Sequence, residues 1–106
     1  MSAHSIAEVY AALTRLPVLP RIQPAEALRI VSENILPYFR VVTLAQDDYV
    51  AVLRDMGTLG VVGAKIYDAL LLRCAEKCGA ERIYTFNLRD FIQLAAEPIR
   101  GKISAP

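Results

Sequence analysis

The chain has 106 residues, is 55% hydrophobic and 22% charged, and sets 12 Lys and Arg against 11 Asp and Glu. That length makes one compact domain over residues 1–106 the expectation, and the composition argues against disorder. A balanced charge excludes a general basic footprint for nucleic acid, so any such contact has to be local.

Residues Ser5 to Arg15 read as a helix, with Ile6, Val9, Tyr10 and Leu13 at helical spacing. The start of the chain does not read as a signal peptide, because Glu8 interrupts it before any continuous apolar run. Pro17 and Pro20 end the helix, and Leu16 to Gln23 is a proline-bearing connection. Pro24 opens a second helix whose stripe is Ala27, Leu28, Val31, Ile35 and Leu36, and Pro37 stops it. The β-branched run at Arg40 to Leu44 predicts a strand.

Asp47 and Asp48 open a third helix containing Tyr49, Val50, Val52, Leu53 and Met56. Gly57, Gly60 and Gly63 predict a flexible loop after it. Ala64 to Cys78 is a fourth helix, apolar nearly all round, which predicts a place at the centre of a domain. Gly79 is its stop. Arg82 to Phe86 predicts a second strand, Asn87 to Leu94 a short helix, and Ile99 and Ile103 hint at an edge strand in the tail. Strands separated by helices predict α/β packing around a parallel sheet. Charges break the apolar stretches well short of the roughly 20 residues of a membrane span, so no membrane is expected.

Four polar positions are candidates for chemistry. Asp68 is flanked at helical spacing by Ala64, Leu71 and Leu72, which puts a carboxylate on an apolar face. Burying it unpaired is costly, so it needs a cation, an opening onto a cleft, or an Arg or Lys partner. Glu8 has small neighbours, Ala11 and Ala12, but Ser5-Ile6-Ala7-Glu8 also fits a capping box in which Glu8 only caps its own helix. Asn87 and Asp90 divide the same way. Both fit a helix start, yet they follow an apparent strand, where open parallel sheets place their ligands.

His4 reads as a surface or cap-adjacent residue, and Lys65 and Arg89 as solvated surface residues that could also touch phosphate. Cys74 and Cys78 are the only cysteines and read as core thiols rather than half of a zinc site. They form no disulfide framework, which points to a reducing cytoplasm.

Three segments together resemble a known family. Ser2 to Thr14, containing Glu8, looks like the PIN-domain segment that carries the second conserved acid. Ile66-Tyr67-Asp68-Ala69-Leu70-Leu71, followed by Cys74-Ala75 and Gly79, looks like the segment of the third acid. Tyr84-Thr85-Phe86-Asn87-Leu88-Arg89-Asp90-Phe91 looks like the fourth, and the order and separations fit. The resemblance is to PIN-domain ribonucleases of the VapC toxin type and runs from about Ser2 to Leu94. It implies a PIN-like parallel sheet flanked by helices, Mg²⁺ or Mn²⁺ bound by clustered carboxylates, and hydrolysis of RNA phosphodiesters. It also implies a cognate antitoxin and a homodimer. On that mapping Glu8, Asp68 and Asp90 are metal-site acids, and Asn87 takes the fourth position, where its amide orients water or a ligand without adding charge.

Members of that family usually begin with a central strand ending in an Asp-x-Asn element. This sequence is expected to lack that strand, since only Met1 to His4 precede the helix bearing Glu8. Two functions are therefore carried forward. One is a metal-dependent endoribonuclease, weakened by loss of a metal-site charge. The other is a non-catalytic PIN remnant that binds an antitoxin or another copy.

Overall fold

Ser2, rather than Ser5, begins the first helix. The computed structural model describes all 106 residues, which form two compact units, Met1–Thr43 and Leu44–Pro106. In the first unit, α1 spans Ala3–Arg15, and Ser2 caps it from extended backbone. The Ser2 Oγ accepts from the Ser5 N–H at 3.1 Å and shares a 2.7 Å hydrogen bond with the Ser5 hydroxyl. Ser5 is already helical, so the expected Ser5–Glu8 capping box does not form.

α2 spans Pro24–Ile30, with proline in its first turn and the Gln23 N–H donating to Glu26 Oε1 at 3.4 Å. It runs on into a single π turn over Val31–Ile35, where the Leu36 N–H reaches back to the Val31 carbonyl at 2.9 Å. α2 packs on α1, with Ala27 and Val31 buried.

The strand expected at Arg40 to Leu44 shrinks to one parallel bridge between Ser2 and Val42. Val42 N–H donates to the Met1 carbonyl and Ala3 N–H to the Val42 carbonyl, both at 2.8 Å. The partner segment turns into α1 at Ala3, so the ladder has nothing further to pair with. β-Branched composition supplies a preference, but a strand needs a neighbour.

In the second unit, α3 spans Gln46–Leu59, α4 Lys65–Cys78, β1 Ile83–Tyr84, α5 Leu88–Leu94, α6 Glu97–Arg100 and β2 Ile103–Ser104. The strands pair in parallel, Ile83 with Ile103 and Tyr84 with Ser104. Ile83 N–H bonds the Lys102 carbonyl at 2.9 Å and Thr85 N–H the Ser104 carbonyl at 3.1 Å. A parallel pair needs a crossover, and α5 with α6 provides it. The fold is thus helix-rich α/β with a two-stranded parallel sheet, and the tail strand is the partner of the strand predicted at Arg82 to Phe86.

The core of this unit joins Val52 and Met56 of α3, Ala69 and Leu72 of α4, Phe91 and Leu94 of α5, then Ala95, Ile99 and Ile103. Gly57 lies inside α3, so the glycine loop begins later than expected. The helix ends at Gly60, which takes the left-handed conformation at φ 70°. α4 ends in the same way at Gly79, φ 66°. α4 is not central, because Tyr67 and Leu71 are exposed. Its all-round apolarity counts side chains but not the number of elements available to cover them.

α3 and α4 are also joined through Asp48. This carboxylate accepts from Ala45 N–H at 2.8 Å, Arg73 Nε at 2.9 Å and Lys77 Nζ at 2.8 Å, with its side chain 10% exposed. The Lys77 ammonium foremost, then the Ala45 N–H, holds its pKa at about 2, against 3.8 ordinarily. Both cysteines are free thiols, as expected. Burial pushes the Cys74 thiol up from 9.0, and Cys78 beside it adds to the shift. No helix is long and apolar enough to cross a membrane.

Candidate metal and phosphodiester site

Three of the four predicted site residues meet in the second unit. Asp68 projects from the first turns of α4. Asn87 stands between β1 and α5, and Asp90 lies in the first turn of α5. The Asn87 Nδ2 donates to Asp68 Oδ2 at 3.2 Å and to Asp90 Oδ2 at 3.0 Å. One amide therefore links two carboxylates that are 22 positions apart in the chain but adjacent in space. Lys65, at the head of α4, completes the group, with its Nζ 3.9 Å from Asp90 Oδ1 and 3.5 Å from Gln93 Oε1.

The local fold explains the placement. Tyr84 ends β1, the chain leaves the sheet, and Asn87 lies just beyond the carboxyl end of that strand, where parallel sheets collect ligands. Asn87 stands at the N-cap position of α5, but its torsions, φ -102° and ψ 53°, are not those of an extended cap and its side chain makes no capping bond. The Thr85 hydroxyl accepts from the Asn87 N–H at 3.0 Å instead, and Asp90 caps nothing. The capping reading of both residues fails because the amide and the carboxylate turn towards α4.

Asp68 is half-buried, and its hydrogen-bond partner is this neutral amide rather than a guanidinium or ammonium. Of the three cations of α4, Arg73 and Lys77 bind Asp48 and Lys65 reaches towards Asp90.

Glu8 belongs to the first unit. It lies within α1, exposed, with His4 Nε2 4.0 Å away. It caps no helix, since Ser2 does so. His4 is exposed, as expected, and so is Arg89.

The donor set can be tested against a hard divalent cation. Two carboxylates and a carboxamide are all-oxygen donors, which suit Mg²⁺ or Mn²⁺, and Mg²⁺ commonly binds through only one or two carboxylates. In this structure the positive end of the Asn87 amide faces both acids, where a cation would satisfy them. Rotating the amide presents its oxygen instead. The residues fit such an ion, although no group of three or more His, Cys, Asp or Glu side chains converges anywhere in the chain.

A groove of about 370 Å³ in the second unit lies elsewhere. Asp55, Met56, Leu72, Arg73, Glu76 and Arg100 are among its lining residues, and none of the candidate site residues lines it. Sequence reasoning missed the Asp48 cluster. Its only trace in the sequence is the pair Arg73 and Lys77 one turn apart on α4, which does not say that Asp48 lies opposite.

This helix-rich α/β unit gathers oxygen donors beyond the carboxyl end of a parallel strand, the place where parallel sheets collect ligands. Residues 1–97 match the PIN domain family, and the chain belongs to it. PIN domains are typically divalent-metal-dependent nucleases, and the sheet seen here is a PIN-like sheet without the central strands. No curated protein and no solved structure matches the chain significantly.

Proposed function

We propose that this PIN domain is a Mg²⁺- or Mn²⁺-dependent endoribonuclease of the VapC toxin type, hydrolysing RNA phosphodiesters. The observation that carries the reading is the Asn87 amide holding Asp68 and Asp90 together with no cation on Asp68. Two acids kept side by side repel one another unless a positive charge joins them.

In this reading Asp68 and Asp90 bind the metal ion, and Asn87 orients the two carboxylates and a water ligand. Glu8 is a further acid that family membership brings to the proposal. A bound divalent ion lowers the pKa of water and neutralises charge growing on the phosphate. Lys65 sets an ammonium beside the acids, where it can meet a non-bridging phosphate oxygen.

The antitoxin and the second copy are partners of the same proposal. Their support is the apolar surface of the first unit, where Leu19, Leu28, Tyr38 and Phe39 are all exposed.

The test is cleavage of an end-labelled RNA with Mg²⁺, with Mn²⁺ and with EDTA, in the native chain and in Asp68→Asn and Glu8→Gln. We expect EDTA to abolish cleavage and Asp68→Asn to slow it by roughly 100-fold or more, on the scale of losing one charge-stabilising group. Cleavage that ignores both overturns the reading. A chain that captures its antitoxin but never cuts RNA supports the non-catalytic alternative.

A further inference from the structure

The two strands of the small sheet have unlike outer edges. Ile83 and Thr85 turn their N–H groups towards β2. Alternation then turns the N–H and carbonyl of Tyr84 the other way, together with those of Arg82 and Phe86 on either side. No hydrogen bond reaches the Tyr84 backbone from that side. The side chains keep the same rhythm. Ile83 and Thr85 are half-buried, while Arg82, Tyr84 and Phe86 are exposed, Phe86 by 96%.

Proteins commonly blunt a sheet edge with lysine or proline. β2 has Lys102 just before it and Pro106 two residues after it. Neither residue type lies between Arg82 and Phe86. Such an edge fits another extended backbone.

The segment is complementary to itself. Two copies laid antiparallel about a two-fold axis at Tyr84 set each Tyr84 N–H against the Tyr84 carbonyl of the other copy, so that symmetry exchanges two hydrogen bonds. That register uses every residue from Arg82 to Phe86. It places Arg82 opposite Phe86 of the other copy, and does so twice. A guanidinium against an aromatic face is an attractive cross-strand pair. The two arginines fall at opposite ends of the ribbon, so no like charges meet. A pair of strands alone is marginal in water, whereas two such sheets joined at this edge make four continuous strands in the order β2-β1-β1-β2.

We propose that the open edge of β1 is a self-association surface, on which a second copy of this chain adds its own β1 antiparallel in the register centred on Tyr84. The surface consists of a backbone edge and the outer face of the sheet rather than the carboxylates, so it stands whether or not the chain cuts RNA. It is also separate from the apolar surface of the first unit.

Sedimentation equilibrium of the native chain should show a concentration-dependent dimer. Phe86→Lys sets a like charge against Arg82 of the other copy at two symmetric places, and should raise the dimer dissociation constant by roughly tenfold. Adding Arg82→Glu to Phe86→Lys turns each repulsion into an ion pair and should restore the dimer, a recovery that general damage to the fold does not allow. In a Cys78→Ser background, which leaves only the buried Cys74 thiol, Tyr84→Cys should form an intermolecular disulfide on mild oxidation. Residues paired in this way stand about 5.5 Å apart at their α-carbons, within disulfide reach. Thr85→Cys, on the other face of the strand, should not cross-link.

A native chain that stays monomeric at every concentration overturns the proposal and leaves the edge to a strand of a different protein. A dimer that survives Phe86→Lys unchanged overturns it too, as does a double variant that associates no better than Phe86→Lys alone. Metal-dependent RNA cleavage is read in a separate assay, and its loss sinks only the nuclease reading.

Discussion

Asp48 and Asp68 lie on neighbouring helices of one unit, and the chain treats their carboxylates in opposite ways. Asp48 is enclosed. A guanidinium, an ammonium and a backbone N–H take up its oxygens, and its pKa falls to about 2. Asp68 is half-buried among apolar neighbours, shares a neutral amide with Asp90, and has the nearest lysine of that group reaching towards Asp90 instead. An acid whose lone pairs are filled by fixed cations is finished as structure. An acid held only by an amide keeps its charge available, which is why Asp48 is a clamp and Asp68 is the acid of the proposed site.

The comparison breaks most sharply under exchange of single atoms. Asp68→Asn should cost roughly 100-fold or more in RNA cleavage with little change in Tm, whereas Asp48→Asn should lower Tm strongly and leave the response to Mg²⁺ in place. Breaking a buried pair strands the partner charges, so the second effect falls on folding. Melting curves with and without Mg²⁺ for both variants decide it. The reverse pattern would mean that Asp48 is the functional acid.

A smaller effect is expected from Asn87→Asp, which puts a third carboxylate where the amide now sits. Tm without metal should fall by a few degrees through repulsion, and the rise in Tm on adding Mg²⁺ should exceed that of the native chain. A Tm that ignores Mg²⁺ in this variant would argue against an ion at this position.

The smallest effect concerns acid. Asp48 has its pKa depressed on folding, so its contribution to stability is present in full above its ordinary value of 3.8 and is lost as pH falls through about 2. The Tm difference between the native chain and Asp48→Asn should therefore be constant near neutrality and shrink between pH 4 and pH 2. A gap that persists at the acid end would show that packing, rather than charge, holds α3 to α4.

Much of this was legible in residue order. The glycine stop at Gly79 and the apolar setting of Asp68 are local patterns that survive folding, whereas of the stripe Ala27, Leu28, Val31, Ile35 and Leu36 only Ala27 and Val31 are buried, and Leu28 and Leu36 are exposed. The strand at Arg40 to Leu44 was not legible, because pairing depends on a partner that composition does not reveal. Asn87 and Asp90 looked equally like caps and like a site, since a cap is judged over four residues while the Asn87 amide reaches Asp68, 19 positions away. The capping reading of Glu8 fails for a related reason: Ser2 caps first and leaves Ser5 inside the helix. The enclosure of Asp48 needs Arg73 and Lys77, 25 and 29 positions on, and no window along the chain spans that distance.

Gly79 closes α4 with φ at 66°, and a methyl group built on its α-carbon would meet no atom within 4 Å. The objection to a side chain there is thus one of handedness rather than space. L-Alanine would be disfavoured by its own backbone, on the order of 1 kcal/mol. D-Alanine, introduced by chemical ligation, finds the same torsion congenial and restricts the unfolded chain, so the mirror-image residue should raise the melting point where the natural one lowers it.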